Sequence, residues 1–404
     1  MTADRLSRRD FLSSALFAVS FYRVAPFSQA IGSRVDSTSR FISAVPLGNP
    51  GGAPATPFGR LLGSGLDARL FTDLSQLGIT ARTSSPSPRT SPAAPLTSTE
   101  EFFVRTAAPP AAGGSQWRVA LAALAGGGDA PAVNLTMSDL DRMAAPGGRY
   151  LVECSGNVDQ ANYGLMSTAD WDGVPLTIVL DRIGAPRRPY RVLITGLDDH
   201  PTASRTSTAG ASWIFTPDQL QRAILATRMN GSPLTPNHGA PVRLLVPGWY
   251  GCVSIKWVNR IEFVEDDAPA TSQMLEFAAR THQDPGARLA RDFTPAVIDT
   301  AAMPVRVEKW IVDGRVAYRL TGIIWGGNKP TNRLSIRFRS DLPWRPVDDC
   351  PLPSSMLTWN LWSHTWRPDS AGRYQIVLRV DDPSIRTRRL DLFFYVREIE
   401  IDEI

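Results

Sequence analysis

The chain has 404 residues, which is enough for two or three domains with sizeable cores. Its hydrophobic content of 43% and charged content of 20% are those of a globular protein. The net charge of +4 is spread along the chain without a basic stripe interleaved with aromatic residues, so no nucleic-acid partner is expected. Cys154, Cys252 and Cys350 are an odd and small set of thiols, which argues against a disulfide framework.

The N-terminus has the layout of a twin-arginine signal peptide. Arg8-Arg9 follows a serine and precedes an apolar pair, a modest apolar run covers 15–19, and small residues at 28–30 offer a cleavage site. The apolar run is too short for a transmembrane helix, so no stable membrane insertion is expected. We predict a signal peptide over 1–30 and a periplasmic or other extracytoplasmic protein. The alternative is a chance Arg-Arg before an amphipathic helix.

Residues 31–95 are rich in Gly, Pro, Ser and Thr. The prolines of 84–88 and 91–95 remove backbone donors and restrict the residues before them, so these stretches cannot form regular elements. We predict a linker over 31–95 that lies extended over the fold, with room for a short helix within 61–77.

Short strands and helices alternate from residue 96 to about 290. This mixture predicts an α+β domain that ends at the Asp-Pro-Gly turn of 284–286. Strands are predicted at 117–123, 150–152, 190–195, 224–229 and 242–246, and helices that begin at Thr136, Thr177 and Thr216.

The pattern changes to strands alone near residue 300. Clusters of Gly, Pro or Asp separate apolar runs of similar length, which predicts an immunoglobulin-like β-sandwich over 300–404. The strands are predicted at 305–312, 316–324, 333–339, 356–362, 374–381 and 390–396.

Cys154 is the thiol in the most informative position. Residues 150–152 predict a short buried strand, and Ser-Gly-Asn at 155–157 ends it in a turn, so the thiol lies at a strand-to-turn junction. This placement suits a metal ligand because it is rigid on one side and open on the other. The alternative is a core cysteine that packs as a small hydrophobe.

Four segments occur in an order and spacing typical of one enzyme family. They are Glu-Cys-Ser-Gly-Asn at 153–157, Trp-Asp-Gly-Val-Pro-Leu and its continuation at 171–180, the run from His238 to Trp257, and Gly-Ile-Ile-Trp-Gly-Gly at 322–327. From about residue 96 to its end, the chain resembles the sulfite oxidase family of molybdenum enzymes. The resemblance implies an α+β molybdopterin-binding domain over 96–290, followed by an all-β immunoglobulin-like dimerisation domain over 300–404, and hence a homodimer.

The resemblance also implies one molybdenum–molybdopterin per chain, with the Cys154 thiolate as the metal ligand, since soft sulfur suits such a metal. Arg105 would attract an anionic substrate by its charge. His238 and Arg243 would take the phosphate end of the cofactor, and without the resemblance His238 is an ordinary turn histidine and Lys256 a solvated lysine. The implied cofactor-binding residues are Phe103, Arg105, Cys154, Asp198, His238, Arg243, Ser254, Ile255 and Lys256.

Two departures leave the substrate open. Thr106-Ala107 follows Arg105, where the family has a polar pair such as Asn-His, and Ala209 precedes Gly-Ala-Ser, where sulfite oxidases have a tyrosine. Alanine cannot give the hydrogen bond of a phenol. No Cys-x-x-Cys-His is present, so we expect no haem and an external electron carrier such as cytochrome c.

Three functions are therefore weighed. The first is an exported oxidoreductase of the sulfite oxidase type that acts on a small anionic or sulfur-containing substrate. The second is a molybdenum enzyme on the same scaffold with a substrate other than sulfite, which the two departures favour. The third is a cofactor-free secreted binding protein, against which the twin-arginine pattern argues, because a simple secreted adhesin has less need to fold before export.

Overall fold

The fold is described from a computed structural model of the chain. The predicted signal peptide at 1–30 lies outside the described residues. No helix in the described ranges is long and apolar enough to span a membrane. The described residues are 39–48, 57–79, 94–112, 116–124, 133–157, 162–201, 204, 207–392 and 394–404.

Strands dominate the described residues. The helices are α1 (Met137–Met143), α2 (Leu176–Ile183) and α3 (Ser272–Phe277), with short 3-10 turns between the strands. The strands are β1 (Arg40–Val45), β2 (Arg69–Leu70), β3 (Val104–Arg105), β4 (Arg118–Ala122), β5 (Val133–Thr136), β6 (Ala145–Glu153), β7 (Met166–Pro175), β8 (Tyr190–Gly196), β9 (Ser212–Phe215), β10 (Ile224–Met229), β11 (Ser232–Pro233), β12 (Arg243–Leu245), β13 (Val258–Glu265), β14 (Ala301–Val312), β15 (Arg315–Trp325), β16 (Leu334–Arg337), β17 (Arg345–Pro346), β18 (Asn360–Trp366), β19 (Gly372–Val380) and β20 (Arg397–Ile401).

The first helix begins where its sequence predicts. The Thr136 hydroxyl accepts a hydrogen bond from the Asp139 N–H (3.2 Å), and the Asp139 carboxylate accepts one from the Thr136 N–H (2.9 Å). This reciprocal pair is a capping box, which satisfies two backbone donors that the helix itself cannot. The predicted helix start at Thr136 is confirmed.

The region between residues 118 and 265 contains two five-stranded sheets. One has the order β11-β10-β7-β6, with β12 also paired to β10, and the other has the order β5-β4-β13-β8-β9. Apolar side chains of both sheets join in one core, which includes Val174, Leu225, Val192 and Ile261. The other face of the first sheet carries a second cluster around Trp171, and Cys154 belongs to that cluster. The first sheet therefore has a packed layer on each face, and the end of β6 lies at the edge of one of them.

The C-terminal region contains two four-stranded sheets, ordered β1-β14-β15-β18 and β17-β16-β19-β20. Side chains of both sheets, such as Tyr318 and Ile376, share one hydrophobic cluster, so the sheets pack face to face. Trp359 and Trp362 are fully buried in this cluster. These tryptophans therefore fill the core of the region.

Parts of the range 31–95, predicted as a linker, are paired or buried where the structure describes them. β1 pairs antiparallel with β14, from Arg40 opposite Ile311 to Val45 opposite Val307, and so forms an edge of the C-terminal sheet. Leu74 is fully buried in the C-terminal core, and β2 pairs with β3. The expected short helix within 61–77 is replaced by two 3-10 turns, Gly65–Asp67 and Leu74–Gln76. The composition of this range is rich in Gly and Pro, but a few of its apolar residues pair with or pack against residues far along the chain. Composition alone did not predict these contacts.

Two C-terminal strand predictions were misplaced. The strand predicted at 356–362 lies at Asn360–Trp366, and the one predicted at 390–396 lies at Arg397–Ile401. Leu390 and Tyr395 are buried in a turn segment, so their apolar character comes from packing and not from strand pairing. A short apolar run does not distinguish these two environments.

Candidate functional site

One cavity collects the residues that the sequence singled out. Its empty volume is about 830 Å³, a figure that includes the open solvent at its mouth. All nine predicted site residues line it. They are Phe103, Arg105, Cys154, Asp198, His238, Arg243, Ser254, Ile255 and Lys256.

The Cys154 thiol is fixed by the end of β6 and the turn that follows. The Cys154 N–H donates to the Leu165 carbonyl (2.9 Å), and the Asn157 N–H donates back to the Cys154 carbonyl (2.9 Å). The Gly156 N–H points at Sγ from 3.4 Å. The residue is only 9% exposed, yet it lines the cavity. The backbone around the thiol is therefore held while the sulfur faces a ligand-sized space.

Cys252 is a second thiol in the same cavity wall, and no functional role was predicted for it. Burial, with a smaller effect of the nearby Cys154, raises the pKa of the Cys252 thiol to about 12. It therefore stays protonated at neutral pH and is a poor metal ligand, because the thiolate is the binding form. No group of three or more His, Cys, Asp or Glu side chains within the described ranges could hold a metal ion.

Arg243 is a buried cation that faces backbone carbonyls. Its Nη1 donates to the His238 carbonyl (3.1 Å) and its Nη2 to the Ser254 carbonyl (3.3 Å). Its Nε has no hydrogen-bond partner, and its guanidinium lies 5.4 Å from the centre of the Trp171 ring. Burial lowers the pKa of Arg243 to about 10. An ionised guanidinium held in this way lacks the anion that buried arginines normally pair with.

Lys256 holds the cavity wall together. Its ammonium donates to the carbonyls of Arg105 (3.1 Å), Thr106 (2.5 Å) and Asn237 (2.9 Å), and it lies 4.3 Å from the Trp257 ring centre. Burial, followed by the charge of Arg243, lowers the pKa of Lys256 well below its ordinary value. All three N–H donors of the ammonium are thus used on carbonyls. Lys256 therefore has no free hydrogen-bond donor for a ligand, and what it contributes to the cavity is its charge.

His238 is neutral and fully engaged. Its Nε2 lies 3.1 Å from the Phe102 carbonyl, which can only accept, so Nε2 carries the proton. Its Nδ1 then accepts from the Thr235 hydroxyl (2.8 Å). Burial lowers the pKa of His238 to about 4. The ring has no free donor for a phosphate, and it instead holds Phe102 against the cavity wall, with the two rings 5.4 Å apart.

Arg105 ends β3 beside the cavity. Its Nη1 donates to the Leu66 carbonyl and to the Thr106 hydroxyl, 3.2 Å away. Burial lowers the pKa of Arg105, and the nearby Cys154 partly offsets that lowering. Arg105 and the thiol therefore interact electrostatically. The positive charge of Arg105 lies at the thiol end of the cavity, where it would attract an anion.

Asp198 is held by a histidine that sequence reasoning missed. One carboxylate oxygen bonds to His200 Nδ1, and the other accepts from the N–H groups of Gly210 and Ala211, both at 3.1 Å. His200 Nε2 lies 3.0 Å from the Ala107 carbonyl. The two ring nitrogens thus lie within hydrogen-bond distance of partners on two different segments, so His200 links Asp198 to the backbone at Ala107. The Asp-Asp-His run after β8 was the only signal for it in the sequence.

The charges at the cavity favour an anion. Arg105, Arg243 and Lys256 supply three cations, and among the described lining residues Asp198 is the carboxylate that opposes them. Asp198 is itself engaged by His200 and two backbone N–H groups. A thiol beside the buried Arg243, whose guanidinium bonds only to carbonyls, fits a metal cofactor that carries a phosphate.

Comparisons with known proteins agree with this chemistry. Residues 107–272 match the family described as the oxidoreductase molybdopterin binding domain. Over 252 residues, the chain is 25% identical to mitochondrial sulfite oxidase of Rattus norvegicus, which covers 57% of this chain and 46% of the rat protein. Over 203 residues, it is 26% identical to the NADPH nitrate reductase of Fusarium oxysporum, covering 46% of this chain and 22% of that protein. The chain spans less than half the length of these two curated relatives.

A solved structure matches almost the whole chain. The sulfane dehydrogenase SoxCD from Paracoccus pantotrophus superposes with a TM-score of 0.58 over 98% of both chains, at 16% sequence identity. At this identity the match shows a shared fold. The fold and the matched domain define a molybdopterin-dependent oxidoreductase. These matches support a molybdopterin oxidoreductase of the sulfite oxidase family, the family that the four sequence segments resemble.

Proposed function

We propose that the chain is an exported molybdenum-cofactor enzyme that oxidises sulfite or a related small sulfur compound. The observation that carries the proposal is the presence, in one cavity, of the Cys154 thiol and a buried Arg243 that bonds only to carbonyls. A cation buried in this way calls for an anionic ligand. One bound molybdenum–molybdopterin per chain would bring a phosphate and would supply oxygen-atom and electron transfer.

Each lining residue then has a defined task. Cys154 is the metal ligand, in its thiolate form. Arg243 takes the phosphate end, where its unpartnered Nε offers a further donor. His238 acts indirectly, by holding Phe102 and presenting its own carbonyl to Arg243. Phe103, Asp198, Ser254, Ile255 and Lys256, which line the cavity, would hold the pterin.

The substrate is a small sulfur-containing anion, attracted by Arg105. Two observations support this substrate class. The residues that line the cavity carry more positive than negative charge. Two similar proteins, sulfite oxidase and sulfane dehydrogenase, are named after sulfur compounds. Ala209 and Ala107 lack the polar side chains that the family has at these positions. A sulfur compound larger than sulfite is therefore included in the proposed substrate class.

A second candidate is reduction of an oxyanion such as nitrate, which the similarity to nitrate reductase favours. A steady-state assay separates the two. Sulfite with oxidised cytochrome c should give turnover that Cys154→Ser abolishes, whereas nitrate with a reduced viologen dye should give none. The opposite pattern would reject sulfur oxidation and favour the reductase.

Export, partner and assembly complete the proposal. Arg8-Arg9 directs the folded protein through the twin-arginine route to the periplasm, where a carrier such as cytochrome c accepts the electrons and no haem is bound within the chain. The C-terminal sandwich is immunoglobulin-like and forms a homodimer. A double Arg8→Lys, Arg9→Lys variant retained in the cytoplasm would support the export route, and sedimentation at the mass of two chains would support the dimer.

A further inference from the structure

Glu153, the residue before Cys154, has a fully buried carboxylate with four hydrogen bonds. Arg388 donates twice, from Nη1 to Oε1 (2.8 Å) and from Nη2 to Oε2 (2.7 Å). Trp325 Nε1 donates to Oε2 (2.9 Å), and Asn157 Nδ2 donates to Oε1 (3.1 Å). Glu153 is 0% exposed, so the carboxylate depends entirely on these partners.

Two of these partners belong to the C-terminal sandwich region. Trp325 ends β15, and Arg388 lies in the connection between β19 and β20, with its N–H donating to the Thr300 carbonyl (2.9 Å). The Arg388 side chain is 7% exposed and lies between the rings of Tyr250 (5.4 Å) and Trp325 (5.6 Å). Burial opposes the charge on Arg388, but the Glu153 carboxylate raises its pKa well above the ordinary value. The two side chains are therefore held in one geometry by a bidentate contact.

The third partner, Asn157, brings the network back to the thiol. The Asn157 side chain bonds to Glu153, while the Asn157 N–H bonds to the Cys154 carbonyl (2.9 Å). One carboxylate thus fixes the residue before Cys154 and the end of the turn after it. A buried ion pair is weak support for stability, because desolvation offsets much of the attraction, but its bidentate geometry specifies position.

We propose that Glu153 and Arg388 are positioning residues through which the C-terminal sandwich sets the orientation of the Cys154 sulfur toward the cavity. The inference rests on the proposed function in taking Cys154 as the metal ligand. It assigns the sandwich a task at the metal site, in addition to any role in assembly. Arg388 is far from Cys154 in sequence, so the two regions must be docked before the sulfur is correctly placed.

The test compares Glu153→Gln and Arg388→Lys with a matched control, Glu308→Gln. Glu308 is 7% exposed, accepts from Trp310 Nε1 (3.3 Å) and pairs with Arg306 (3.3 Å), so it repeats the same chemistry inside the sandwich. The first readout is the electron paramagnetic resonance spectrum of the Mo(V) state of purified holoenzyme, which reports the orientation of the ligating sulfur. The second is the rate of Cys154 alkylation by iodoacetamide in full chain from a host that makes no pterin, with Cys350 as the internal comparator.

The proposal expects shifted Mo(V) g-values in Glu153→Gln and in Arg388→Lys. The spectrum of Glu308→Gln should be like that of wild type. Alkylation of Cys154 should become about threefold faster or more in Glu153→Gln, because its turn opens more often, with no change at Cys350. Unchanged spectra and rates in Glu153→Gln would overturn the proposal. Equal changes in Glu308→Gln would also overturn it, since they would reflect general loosening.

A double variant covers the case in which a single charge left unpaired prevents folding. Glu153→Gln with Arg388→Gln removes both charges, and the proposal expects the same spectral shift and faster alkylation in this folded chain. Wild-type behaviour of the double variant would overturn it. If wild-type protein contains no molybdenum, the proposed function fails, while the alkylation rates still decide whether Glu153 and Arg388 position Cys154.

Discussion

The two sides of the cavity hold buried charge in different ways. On the thiol side, Glu153 and Arg388 neutralise each other through two hydrogen bonds. On the cation side, Arg243 and Lys256 are buried against backbone carbonyls, and desolvation lowers the pKa of each. A charge that is paired inside the protein fixes structure, whereas a buried charge that meets only carbonyls remains available to a ligand.

This difference separates buried charges that are paired within the protein from buried charges that contact only backbone carbonyls. The degree of burial alone does not distinguish them. Substitutions of the paired residues Glu153 and Arg388 should act on the geometry and stability of the protein. Substitutions on the cation side should act on what the cavity retains. The variants below test that division, from the largest expected effect to the smallest.

Replacing the thiol itself should have the largest effect. Cys154→Ser removes the soft ligand, and we expect molybdenum content and turnover to fall at least about 100-fold, beyond the loss seen when outer-shell partners of a metal are changed. Metal content by mass spectrometry is the measurement. Cys350→Ser, which removes a half-buried thiol far along the chain, should leave both quantities unchanged. Retention of metal by Cys154→Ser would reject the ligand assignment.

Arg243→Met should separate ligand binding from stability. We expect cofactor retained after dialysis to fall by about tenfold or more, because charge-assisted contacts to a phosphate are lost. The free energy of unfolding of cofactor-free protein should change by less than about 2 kcal/mol, since two lost hydrogen bonds are offset by relief of a buried charge. Arg260→Met, at an exposed arginine, is the control. A large loss of stability with full cofactor retention would make Arg243 purely structural.

His238 should make the protein sensitive to acid. Burial lowers its pKa to about 4, so the folded protein keeps the ring neutral while the unfolded chain binds a proton below pH 6.5. The stability from neutral His238 is complete above pH 6.5 and is lost as pH falls toward 4, by up to about 3 kcal/mol. Denaturant unfolding at pH 7 and pH 5 measures it. His238→Gln should show a smaller loss between the two pH values, and an equal loss would contradict the assignment.

The smallest expected effect is at His200. His200→Gln weakens one of the holds on Asp198, while the Gly210 and Ala211 N–H groups remain, so we expect a loss of cofactor retention of about threefold. The exposed His282, 3.8 Å from Asp299, offers a control pair, and His282→Gln should have no effect. A loss as large as that of Arg243→Met would mean that Asp198 depends on His200 alone.

Sequence patterns predicted the local parts of this site well. The strand and turn around Cys154 follow from period and turn chemistry, and the four family-like segments brought nine residues to one cavity. The pairing of Glu153 with Arg388 could not be read in the same way, because the two residues are 235 positions apart and neither lies in a distinctive local pattern.

The N-terminal range shows the same limit. Arg40–Val45 carries weak strand signals and sits in a Gly- and Pro-rich stretch, yet it pairs with β14 more than 260 residues later. His200 was likewise hidden, since its role depends on the Ala107 carbonyl from another segment. Contacts between residues far apart in sequence determine the position of β1 and the role of His200. Composition and periodicity carry information only about residues close together in the sequence.

The central claim is that the cavity beside Cys154 holds a molybdenum cofactor. The most direct measurement is the molybdenum content of wild-type protein, purified from a host that makes the pterin and quantified by mass spectrometry with pterin fluorescence. About one molybdenum and one pterin per chain is the predicted result. Correctly folded protein with neither would contradict the account and leave the cofactor-free binding protein as the better interpretation.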